Sequence, residues 1–202
     1  MFTKIIAPVS AGKTHYSIEK VLRRIYLENA CIITLELNEK TVMNRITNFV
    51  VNQNISVGNN NHLSVKEFAL QVSFEDIKEF IVKKSEDGFK TFLLDSPFLV
   101  KSIKGETNSE KQDRVDKELY NLCMEYDCNI YATYNLNREF CDLSIQEIYE
   151  KFPISELKEF EDVIVIKIDL MEDKSHRKAV DIRSGEVEVF NIENFFKNEE
   201  VA

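Results

Sequence analysis

The chain has 202 residues, 44% of them apolar, and 26 basic side chains against 35 acidic ones give it a formal net charge of −9. That length supports one sizeable core and is short for two, so a single domain over residues 1–197 with a short tail at 198–202 is expected. The charge repels a polyanion on average, no run approaches the roughly 18 apolar residues of a membrane span, and the N-terminus reads as a strand rather than a signal peptide, so a soluble cytoplasmic protein is expected.

Phe2 to Ala7 reads as a buried strand that passes through Pro8, Val9, Ser10 and Ala11 into Gly12-Lys13-Thr14. A helix follows from His15 to Leu27, with Ile18, Val21, Leu22 and Ile25 at helical spacing. Strand, tight loop and helix start in that order form a phosphate-holding unit. The free N–H groups of the loop and of the first turn converge on an anion at the positive end of the helix dipole. In this reading Pro8 to His15 hold a nucleotide, Lys13 reaches its β- and γ-phosphates, and Thr14 sets its hydroxyl on a magnesium ion. The glycine that opens the usual pattern is replaced by Ala7, so only the second half of the motif is met. An ordinary strand-to-helix turn is the alternative.

Cys31 to Leu35 is a second strand, and Asn38 caps a helix to about Asn48. A polar, asparagine-rich loop covers Asn52 to His62, and Ser73 with Asp76 caps a helix that ends before Gly88. Phe89 to Asp95 is a third strand, Pro97 to Asn108 a loop, Ser109 to Asp127 a long amphipathic helix, and Asn129 to Tyr134 a fourth strand. Ser144 with Glu147 starts a short helix, Asp162 to Ile168 is a fifth strand, and a hairpin spans Val180 to Phe190 around Ser184-Gly185. Strands alternating with helices predict an α/β fold with a mainly parallel sheet flanked by helices and a C-terminal β-hairpin.

In such a sheet, ligands bind beyond the carboxyl ends of the strands. That rule gathers Pro8 to Thr14, Glu36, Asp95 with Ser96, and Tyr134 with Asn135 at one crevice. Asp95 is either a magnesium-side carboxylate or a turn former. Glu36 is either a base for an attacking water or a charge at a helix entry. Asn135 either contacts the γ-phosphate or shapes a turn. Arg183, at the hairpin reversal, is either an arginine finger for a neighbouring subunit or a solvated residue. Lys101, Lys104, Lys111 and Arg114 are the candidate nucleic-acid contacts, with a solvated charge run as the alternative. Cys31, Cys123, Cys128 and Cys141 read as reduced thiols, and His15, His62 and His176 as isolated surface or loop residues.

Several segments together resemble the ATPase domain of DnaB-type replicative helicases, within the RecA-like P-loop ATPases. IIAPVSAGKT is similar to that family's phosphate loop, and CIITLELNEKTVMNRI to its next strand and helix, where Glu36 takes the place of the water-activating glutamate. TFLLDSPFLV matches the strand of the magnesium-associated aspartate at Asp95, YATYNLNRE sets Asn135 where the family has glutamine, and PISELKEFEDVIVIKID is similar to the strand that follows. The hairpin sets Arg183 near the family's finger, although the lysine expected two residues earlier is Asp181.

The resemblance implies ATP and Mg2+ as ligands, hydrolysis through Lys13, Thr14, Glu36 and Asp95, and single-stranded DNA, further copies of the chain or a replication protein as partners. The reading is of a chain without the N-terminal domain and linker helix that support ring assembly in that family. Two rival readings are a P-loop nucleoside kinase and a non-catalytic regulator that mimics one helicase subunit.

Overall fold

The computed structural model describes residues 1–54, 62–135, 147, 161–167 and 176–196. Along the chain it forms β1 (Phe2–Ala7), α1 (Lys13–Arg24), β2 (Asn29–Thr34), α2 (Glu39–Asn52), β3 (Leu63–Glu67), α3 (Phe74–Glu86) and β4 (Phe89–Asp95). There follow a 3-10 turn at Pro97–Leu99, α4 (Asn108–Tyr126), β5 (Asn129–Asn135), β6 (Glu161–Lys167), β7 (His176–Asp181), β8 (Val187–Asn191) and a second 3-10 turn at Ile192–Phe195.

The strands make one sheet in the order β3-β2-β4-β5-β1-β6-β7-β8. Pairing is parallel from β3 to β6 and antiparallel for β7 and β8, which gives the expected mixed α/β sheet ending in a hairpin. Strand alternation divides the apolar residues between two faces. Cys31, Ile33, Phe92, Leu94, Ile130 and Ala132 pack with α3 and α4, whereas Ala30, Ile32, Leu93 and Tyr131 pack with α1 and α2. Burial on both faces explains why the central strands read as continuous apolar runs rather than alternating ones.

The elements differ from the sequence reading in several places, among them the hairpin, whose first strand begins at His176 rather than Val180. α1 stops at Arg24, leaving Leu27 exposed, instead of reaching Leu27. α2 continues to Asn52, where the side-chain amide donates to the carbonyls of Asn194 and Phe196, so a distant segment extends the helix past its local signals. β3 had no counterpart in the expected elements. It is a short edge strand with polar Ser64, Lys66 and Glu67, held by parallel pairing with β2. The helix expected from Ser144 falls outside the described residues except for Glu147, and Cys141 also lies outside them.

Candidate functional site

Residues at and just beyond the carboxyl ends of β1, β2 and β5 line a cleft of about 350 Å³, and Asp95, at the end of β4, meets it through its hydrogen bond with Thr14 rather than in the lining. Between β1 and α1 the backbone turns left-handed at Ser10 (φ 64°) and at Gly12 (φ 90°), while the Ala11 N–H donates to Pro8 O to close the turn. Such alternation of hand turns successive N–H groups into one concavity. Glycine is needed at position 12 for a second reason, since a Cβ there would stand 2.9 Å from Ile192 Cγ2. Val9, Ser10, Gly12, Lys13, Thr14 and His15 line the cleft. Pro8 and Ala11, also expected to hold the nucleotide, do not line the cleft; they are joined by the hydrogen bond that closes the turn, and Ala11 is fully buried.

The acidic residues sit at unequal depth. Asp95 is 1% exposed, and its two oxygens accept from Thr14 Oγ1 at 3.1 Å and from Thr133 Oγ1 at 2.6 Å. Burial raises its carboxyl pKa, opposed by the Thr133 hydrogen bond and by Lys13. A cation against this carboxyl would hold it ionised, so the site fits a hard dication shared with the Thr14 hydroxyl. Glu36 faces the cleft rather than solvent alone: its side chain is 46% exposed, and Oε2 stands 3.7 Å from Lys13 Nζ and accepts from Ser96 Oγ at 2.9 Å. Asn135 ends β5 opposite Ala7 and also lines the cleft.

Tyr134, expected to face the crevice with Asn135, instead turns to the opposite face of the sheet, where its hydroxyl donates to the buried Asp116 of α4. Adjacent strand residues point to opposite faces, so only one of the pair can serve the cleft.

Arg45, Leu37, Ile192 and Phe196 complete the lining and were not among the expected site residues. Arg45 flanks the apolar stripe of Val42, Ile46 and Phe49 on α2, so the helical period places it at the rim of the sheet. Partial burial lowers its pKa, while Asp95 and Glu36 act in the opposite direction. Ile192 and Phe196 come from far along the chain and carry no local signal. Their segment is tied down by the Asn48 and Asn52 amides of α2.

His15 is not a surface residue. It is 8% exposed, with its ring 4.8 Å from that of Phe195 and 5.3 Å from that of Phe196, and Nε2 has no hydrogen-bond partner. Burial, reinforced by Arg45 and Arg177, lowers its pKa from 6.5 to about 4. Between those values the unfolded chain binds a proton that the folded chain refuses, so stability falls as pH drops from 6.5 toward 4 and the loss saturates below that. The shift corresponds to about 3 kcal/mol. Urea unfolding of wild type and His15→Leu across this range should show that part of the pH slope vanish in the variant, and parallel slopes would refute the assignment.

Arg183 lies outside the cleft. Its Nε is 3.6 Å from Asp162 Oδ1, and Asp162 pairs with Thr3 at the start of β1, whereas the phosphate loop follows Ala7. Roughly 13 Å of strand therefore separates the arginine from the loop of its own subunit.

Of the four basic residues, Lys101, Lys104 and Arg114 line one open cleft beside Glu75 and Ile103, whereas Lys111 is withdrawn from it. Lys111 is 6% exposed, and its ammonium donates to the carbonyls of Phe98 at 2.8 Å and Val100 at 3.4 Å above the Phe98 ring. The turn after β4 leaves carbonyls that need donors, and this lysine supplies them. Arg114 makes a two-pronged pair with Glu106 at 2.7 and 3.1 Å. Lys101 and Lys104 are exposed. Cys31, Cys123 and Cys128 are buried free thiols, and among the described residues no three or more histidine, cysteine or acidic side chains group as a metal-ligand set of their own. No helix among the described residues is long and apolar enough to cross a membrane.

No family model and no curated protein matches the sequence. Among solved structures, one of an ATPase domain is similar at a TM-score of 0.69 and 15% identity, over 93% of this chain and 79% of that one. A DnaB-like replicative helicase, described together with its interactions with primase, is similar at the same TM-score and identity, over 93% of this chain and 54% of that one. The chain thus spans about half the length of that helicase. At 15% identity the likeness to these two structures is one of fold alone.

Proposed function

We propose that the chain binds MgATP at the β1–α1 loop and hydrolyses it, working against a second RecA-like subunit that is either another copy or part of a replication assembly. The observation that carries this reading is the Thr14 Oγ1 to Asp95 Oδ2 contact, which joins the phosphate loop to a buried carboxylate two strands away while Lys13 and Glu36 stand beside it. Thr14 and Asp95 would hold the magnesium ion. The ion would draw charge from the phosphate oxygens.

In the hydrolytic step the oxygen of one water bonds to the γ-phosphorus and its proton passes to the Glu36 carboxylate. The bond from that phosphorus to the bridging oxygen breaks, and ADP leaves. Lys13 neutralises the phosphate oxygens, and Asn135 borders the same space. Arg183, far from the cleft of its own subunit, would complete only a neighbour's site.

Single-stranded nucleic acid is the weaker partner, because Lys111 and Arg114 are engaged within the fold and the net charge is −9. The test is ATP hydrolysis by the purified chain with and without single-stranded DNA at low salt, alongside its mass in solution. Magnesium-dependent turnover that rises with protein concentration as oligomers form is the expected result. Absence of MgATP binding at millimolar nucleotide would overturn the reading.

A further inference from the structure

We infer that Ser96 is a positioning residue for the proposed hydrolysis: its hydroxyl, aimed by a strained left-handed backbone, tethers one oxygen of Glu36 and leaves the other for water. This inference rests on the role proposed above for Glu36. Ser96 follows the last residue of β4 and adopts φ 69°, ψ 65°. A side chain with a Cβ pays energy for that conformation, and the residue before a proline, here Pro97, is restricted further. Such strain persists only where surrounding contacts impose it.

Those contacts are present. The Ser96 N–H donates to Thr133 Oγ1 at 2.9 Å, and Thr133 passes its own proton toward Asp95 Oδ1 at 2.6 Å. The Ser96 carbonyl accepts from the Leu99 N–H at 2.9 Å, so the following 3-10 turn fixes the other side of the residue. Ser96 is 5% exposed, and in this pose its Oγ donates to Glu36 Oε2 at 2.9 Å. Glycine would take the same backbone without strain. What serine adds is the hydroxyl.

Lys13 approaches the same oxygen at 3.7 Å. An ammonium drawn to phosphate would leave that position, whereas Ser96 is fixed by β4 and β5 and would stay. The hydrogen bonds run from Thr14 through Asp95 and Thr133 to Ser96 and Glu36. The buried carboxylate and the water-facing one are thereby held at a set relation. A misplacement of about 1 Å at such a site can cost on the order of 10²-fold in rate.

Ser96→Gly removes the tether and relieves the strain. It should lower kcat about 10-fold or more, leave KM for ATP within about twofold and keep or raise Tm, a combination that loss of structure does not produce. Placed in the Glu36→Gln background, the same change should cost no further rate. Unchanged kcat in Ser96→Gly, or a full additional loss in the Glu36→Gln background, would overturn the inference. Side-chain NMR of 13C-labelled Glu36 reads the tether without turnover: one rotamer in wild type, averaged couplings in Ser96→Gly. If the wild type hydrolyses no ATP but this change occurs, the hydrolytic reading fails and the tether stands. If the Glu36 couplings are the same in both proteins, the tether itself is refuted.

Discussion

Lys13→Ala should weaken MgATP binding by about 10²- to 10³-fold while leaving the fold intact. Lys13 is 8% exposed at the first position of α1, and its ammonium is the cation placed between the phosphate loop and Glu36. A hydrogen bond to a charged group is worth about 1.5–3 kcal/mol, and the lysine would make such contacts with two phosphates; each 1.4 kcal/mol is tenfold in affinity. Its loss also leaves the Glu36 and Asp95 carboxylates nearer to net repulsion of the nucleotide. Alanine is a strong helix former, and the carbonyl of residue 13, which accepts the Ser17 hydroxyl at 2.7 Å, remains in the variant. Calorimetric titration with a non-hydrolysable ATP analogue, next to a thermal melt, checks both halves. A Kd within about threefold of wild type would remove the phosphate-loop reading.

What the sequence makes legible is local. The β1 to α1 unit is marked by an apolar run followed by Gly-Lys-Thr, and Asp95 by its place after FKTFLL. Each of these signals lies within a short stretch of neighbouring residues and needs only strand and helix periods. Glu36 and Asn135 follow from the rule that strand tips meet ligands, while the same rule fails for Tyr134 because neighbouring strand residues face opposite ways.

The misses are tertiary. His15 looks like an isolated polar residue until Phe195 and Phe196, near the other end of the chain, close over it. Lys111 looks like part of a basic run until the carbonyls of Phe98 and Val100 turn toward it. Ser96-Pro97 reads as a turn, and nothing in the dipeptide reveals that its hydroxyl meets Glu36 across two strand ends. Polar residues acquire their roles from partners that only the fold supplies.

Glu36→Gln should separate binding from chemistry more sharply than any other change. Glutamine keeps the shape of the side chain and an oxygen that can accept the Ser96 hydroxyl, so the tether at 2.9 Å has a counterpart. It removes the charge, and with it both the proton acceptor and the pull on Lys13 from 3.7 Å. MgATP should therefore bind as well as to wild type or more tightly, while turnover falls about 10²- to 10³-fold, the range general-base groups contribute. Asp95 cannot substitute as base, since it is 1% exposed and both its oxygens already accept hydroxyl protons from Thr14 and Thr133. Asp95→Asn should show the complementary pattern, with magnesium-dependent binding lost along with turnover. Single-turnover hydrolysis and nucleotide titration on both variants decide the assignment: full turnover in Glu36→Gln would transfer the base to another group, and equal loss of binding in the two would place both carboxylates on the metal.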